Sequence, residues 1–101
     1  DKKIKYLKKI KDLNIEFPYF IKTLSYILQT KDNVVDALKT SLNYTDGILK
    51  DNISILIEEI NDDPLSIKPY ENLIDKFSKI EDFDKIFRII YRLNYSKRPT
   101  L

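Results

Sequence analysis

Phe17-Pro18-Tyr19-Phe20-Ile21-Lys22-Thr23-Leu24-Ser25-Tyr26-Ile27-Leu28 is the stretch that decides the fold class. Its apolar positions Phe17, Phe20, Ile21, Leu24, Ile27 and Leu28 recur every three or four residues. That spacing makes one broad helical face, whereas a strand would alternate every second residue. Asn14 is placed to cap this helix. Pro18 then falls in its first turn, where a missing N–H costs little.

The same period runs outward in both directions. Upstream, residues 2–13 read as a separate basic helix with Ile4, Leu7 and Ile10 on one face. Downstream, Asp32 or Asn33 opens a third helix, and Asn33 with Asp36 resembles a capping box. Its inward face is Val34, Val35, Leu38 and Leu42. Thr45, Asp46 and Gly47 form a turn before a fourth helix carrying Leu49, Ile53, Leu56, Ile57 and Ile60.

Asn61, Asp62, Asp63 and Pro64 break the chain again. Pro69 would remove an amide donor inside a helix, so a short turn is expected at 64–68 and a helix from Pro69 to Ser78. Its face is Tyr70, Leu73, Ile74 and Phe77. Glu81 or Asp82 opens a sixth helix with Phe83, Ile86, Phe87, Ile90 and Leu93. The segment Tyr95–Leu101 has no period and reads as a tail or linker. Short connections favour antiparallel neighbours. The expectation is an all-α fold, an antiparallel bundle of about six short helices over residues 1–94.

Composition narrows the chemistry. The 101 residues contain no cysteine, histidine or methionine, and Gly47 is the single glycine. Thiol and histidine chemistry and the usual zinc sites are thereby excluded. A glycine-rich phosphate loop is excluded as well. No carboxylate pair is set in an apolar run that would tune it for acid–base work. The sequence therefore predicts no catalytic residue and no cofactor. No run reaches the roughly 18–20 apolar residues of a membrane span. The absence of any methionine leads us to expect a segment of a longer protein or a processed product.

Charge is unevenly placed. Lys2, Lys3, Lys5, Lys8, Lys9 and Lys11 face only Asp1 and Asp12 in the first twelve residues, although the whole chain carries +2. Lys5, Lys8 and Lys9 are candidates for partner contact. The segment reads as a solvated helix face or as a basic stretch beside a membrane on its cytoplasmic side. Nucleic-acid binding is a weaker reading, because the segment has no arginine and only Tyr6 for stacking.

Two further groups stand out. Glu58, Glu59, Asp62 and Asp63 could offer oxygens to a hard cation. Their spacing lacks the glycine and final glutamate of an EF-hand loop, and a solvated helix end explains them more simply. Arg88, Tyr91 and Arg92 lie near one another on the last helix, with Arg98 beyond. Tyrosine and arginine are favoured in binding hot spots, so they are candidates for an exposed partner surface.

Residues 17–93 resemble the cytoplasmic helical domain of the type II secretion F family. These are the inner-membrane platform proteins of type II secretion, type IV pilus and tight-adherence pilus systems. The resemblance rests on the Phe17-Pro18 opening and its leucine-rich helix, and on Val34-Val35-Asp36-Ala37-Leu38. The amphipathic run Ile48–Ile60, the break Asp62-Asp63-Pro64-Leu65 and a closing helix over 83–93 complete it. Where the family usually has a glycine turn, Thr30-Lys31-Asp32-Asn33 stands here. The resemblance implies a domain on the cytoplasmic face of the inner membrane, part of an integral membrane protein. Its implied partners are the assembly ATPase, pilins or pseudopilins, and further copies of itself. No invariant functional residue of the family carries over to a numbered position. The alternative is a small regulatory or nucleic-acid-binding domain that uses the lysine-rich first helix.

Overall fold

Five α-helices and one 3-10 turn make up the described part of the chain, which is residues 1–96 of a computed structural model. They are α1 (Lys2–Leu28), α2 (Val34–Ser41), the turn Leu42–Tyr44, α3 (Gly47–Asp62), α4 (Lys68–Lys76) and α5 (Phe83–Ser96). The fold is all-helical, as expected. The count is five because the two expected N-terminal helices are one.

The reason for the fusion is phase. Ile10, Leu13, Phe17, Phe20 and Leu24 follow one another at three- and four-residue steps, so one inward stripe runs unbroken through Asn14. Phe17, Phe20 and Leu24 are buried, and Ile10 and Leu13 pack against them. Pro18 lies inside the helix and not in a first turn. An interior proline costs about 3 kcal/mol. Burying Phe17, Phe20 and Leu24 gains about 1.5–3 kcal/mol apiece, which outweighs it.

Asn14 does not cap a helix of its own. Its Nδ2 donates to the Ile10 carbonyl at 3.1 Å, and its Oδ1 accepts from the Glu81 amide at 3.0 Å. The residue clips α1 to the turn that leads into α5.

The other helices start for local reasons. Asn33 has extended backbone, and its Oδ1 accepts from the Asp36 amide at 2.8 Å. Its Nδ2 donates to the Asp36 carboxylate at 2.9 Å, so the expected capping pair forms, closed between side chains. Gly47 opens α3 at φ +63°, a left-handed conformation that glycine adopts without penalty. Before α4, Ser66 Oγ accepts from the Lys68 amide at 3.0 Å, and Pro69 occupies the first turn. That helix spans 68–76, against the expected 69–78. Asp82, at φ 63°, makes the left-handed step into α5. Helix α5 then continues through Ser96, two residues into the expected tail. The remainder of that tail, with Arg98, lies outside the described residues.

Helices adjacent in the chain pack on one another, and α2 also meets α5. One buried cluster draws on every helix and on the turn residues Phe77 and Ile80. Phe83 is its aromatic centre, with ring centroids 4.8 Å from Phe17, 4.7 Å from Phe77 and 4.6 Å from Phe87. Buried Ser41 is satisfied through its Oγ, which donates to the Leu38 carbonyl at 2.6 Å. Buried Asn94 donates from Nδ2 to the Tyr70 hydroxyl at 3.1 Å.

The molecule measures 54 × 25 × 20 Å. Its length reflects α1, whose 27 residues extend about 40 Å at 1.5 Å per residue. Residues 1–9 are exposed throughout, so this end of α1 stands clear of the bundle. Ile4 and Leu7 share the apolar face expected for the first helix. They are 67% and 54% exposed, because in the continuous helix they lie away from the stripe of Phe17, Phe20 and Leu24.

Candidate functional site

The three groups singled out from sequence occupy separate parts of the surface. Lys5, Lys8 and Lys9 are all exposed on the overhanging end of α1. At 100° per residue, Lys5 and Lys9 fall on the opposite side of that overhang from Leu7 and Ile10, with Lys8 between.

The acidic group sits where α3 ends. Glu58, Asp62 and Asp63 are exposed, and Glu59 is half-buried. Glu59 Oε2 accepts from Asn72 Nδ2 at 3.0 Å, which joins α3 to α4. Asp63 is the C-cap, with its amide donating to the Glu59 carbonyl at 3.0 Å. Among the described residues no three carboxylates converge closely enough to hold a metal ion. Glu59 instead braces two helices.

On α5 the expected cluster divides. Arg88 pairs with Asp84 one turn earlier in the same helix. Tyr91 is half-buried, its ring edge-on to Tyr70 at 5.3 Å, so it belongs to the margin of the core. Arg92 and Tyr95 are exposed.

The structure brings forward a face that the sequence reading did not single out. Within an arc of about 120° on the outer side of α1 lie Ile4, Leu7, Ile15, Tyr19 and Tyr26. Their exposures run from 54% to 71%. Lys8, Lys11 and Lys22 share the arc and are exposed too. No carboxylate falls within it, in a chain with 16 acidic residues. Carrying one helical wheel through Asn14 would have exposed this face. Dividing the segment at residue 13 hid it.

Open clefts flank α1. One, of about 270 Å³, lies between Ile15, Tyr19 and Thr23 on the helix and Tyr44–Asp46. Another, of about 290 Å³, lies between Tyr6, Lys9 and Leu13 and the Phe77–Ile80 turn. In the first cleft the Thr45 hydroxyl donates to the Ser41 carbonyl at 2.7 Å. Among the described residues, no helix is long and apolar enough to cross a membrane. Comparison of the chain with protein-family models, with curated proteins and with solved structures returns no match.

Proposed function

We propose that this chain is a docking domain of a membrane-held platform protein, working by protein–protein contact with no bond chemistry. The observation that carries the reading is the form of α1. It enters the bundle as one rod, and its lysine-rich end stands clear of the core. Such a basic rod suits a domain suspended beneath the cytoplasmic face of a membrane, where lysines accumulate. The resemblance of residues 17–93 to the type II secretion F family supports the same role. On that reading the partners are an assembly ATPase, pilins or pseudopilins and further copies of the chain, with an antiparallel up-and-down arrangement of the helices. Exposed Arg92 and the lysines Lys5, Lys8 and Lys9 are the contact residues we would test first.

The test is the reading frame around these 101 codons. Apolar spans of roughly 20 residues are expected on its flanks. A parent of about this length with no such span overturns the platform reading.

The second reading is a nucleic-acid-binding domain, favoured by the same uncovered lysines. Titration with duplex DNA at low and high salt decides it, since phosphate contacts are strongest at low salt. Absence of binding at low salt disposes of this reading.

A further inference from the structure

The outward face of α1 has a composition that selects its occupant. A helix face left to water is ordinarily polar and carries both signs of charge. This one presents Ile4, Leu7, Ile15, Tyr19 and Tyr26, each more than half exposed. Between them stand Lys8, Lys11 and Lys22, while the acids Asp12, Glu16 and Asp46 lie along one edge of the arc. The opposite face of the same helix is already committed to the core through Phe17, Phe20 and Leu24. The outer face is therefore a second, independent apolar surface along one rod.

We infer that this face adsorbs to an anionic phospholipid surface, with α1 lying along it. Aliphatic side chains enter the headgroup–acyl boundary, and tyrosine rings favour that depth. Lysines extend their apolar stems beside them and hold the ammonium among lipid phosphates. Each residue type on the face thus has a partner in one environment.

Other occupants leave groups unmatched. A second copy, packed face to face about a two-fold axis, would set Lys8, Lys11 and Lys22 against a face that carries the same three lysines and has its carboxylates only along one edge. A nucleic acid would answer the lysines through its phosphates. It would offer nothing to Ile4, Leu7 and Ile15, and the face has no arginine to read a base edge.

The inference shares with the proposed function only the nearness of a membrane, and the two fail separately. Flanking spans can be present while the face ignores lipid, and the face can bind lipid in a protein without spans. The test is cosedimentation of the 101-residue chain with vesicles of phosphatidylcholine, with and without about 30 mol% phosphatidylserine. Partitioning to the anionic vesicles is expected to exceed that to the neutral ones about tenfold and to fall at high salt. Ile15→Ser/Tyr19→Ser and Lys8→Glu/Lys11→Glu should each weaken it about tenfold with helix content unchanged by circular dichroism. Lys68→Glu/Lys85→Glu removes the same charge from α4 and α5, and should change it less than about twofold.

Three results would overturn the inference. One is equal loss from both charge-reversal pairs, which would mean a response to net charge alone. Another is self-association by sedimentation equilibrium that Ile15→Ser/Tyr19→Ser abolishes. The third is tighter binding to duplex DNA than to the anionic vesicles at the same salt.

Discussion

Asn14 Oδ1 accepts the amide proton of Glu81 across 67 residues of chain, at 3.0 Å. That bond ties the middle of α1 to the turn between α4 and α5. A protein hydrogen bond contributes about 1 kcal/mol net, and in an exposed bond such as this one water can take the place of the lost partner. Asn14→Ala should therefore lower stability by about 0.5–1.5 kcal/mol. Urea unfolding would show this as a lower midpoint at unchanged slope. An unaltered midpoint would mean that water replaces the side chain without loss.

Pro18 provides a test of opposite sign. It is exposed and lies inside α1, where it supplies no amide to the Asn14 carbonyl. Alanine restores that donor and has the best helix propensity. Pro18→Ala should raise stability by about 1–3 kcal/mol and the melting temperature with it. A lower melting temperature would show that α1 depends on the proline where it now stands.

These two residues also explain where the sequence was legible. The stripe through Phe17, Phe20 and Leu24 is a long-range packing signal, and it identified the core face without help from the structure. Asn14 and Pro18 are local punctuation, and both pointed to a helix start. Packing prevailed because three large buried side chains outweigh one missing hydrogen bond. The Asn14 amide, moreover, was engaged by Glu81, a partner that no local pattern reveals. The same limit applies to the candidate contact residues. Spacing placed Tyr91 beside Arg88 and Arg92, but only the fold seats its ring against Tyr70. Ile4 and Leu7 show the converse: helical spacing makes an apolar face without saying whether anything covers it.

Phe83 is 1% exposed and touches three other phenylalanine rings. Truncating such a side chain removes transfer free energy and leaves a cavity. Phe83→Ala is expected to cost about 3–5 kcal/mol, with Phe83→Leu costing less. In a domain of this size the alanine variant should be partly unfolded at room temperature, read by circular dichroism. A loss under about 1 kcal/mol would contradict Phe83's place at the aromatic centre.

Asn94 and Tyr70 form a buried polar contact between α5 and α4. A double-mutant cycle with Asn94→Ala and Tyr70→Phe isolates it. The coupling should be about 0.5–1.5 kcal/mol by chemical denaturation. Strict additivity would mean that the two groups only share a neighbourhood.

The overhang of α1 gives one helix two stabilities. Beyond Ile10 its backbone hydrogen bonds share their fate with the core, and they open only when much of the fold opens. Near residues 5–9 the same ladder is held by nothing but itself, and a helical segment that short is marginal alone. Amide hydrogen exchange should therefore change steeply along a continuous helix, fast near Lys5–Lys9 and slow from Phe20 to Leu28. Any surface that receives the outer face would slow exchange at the fast end first, marking where contact is made.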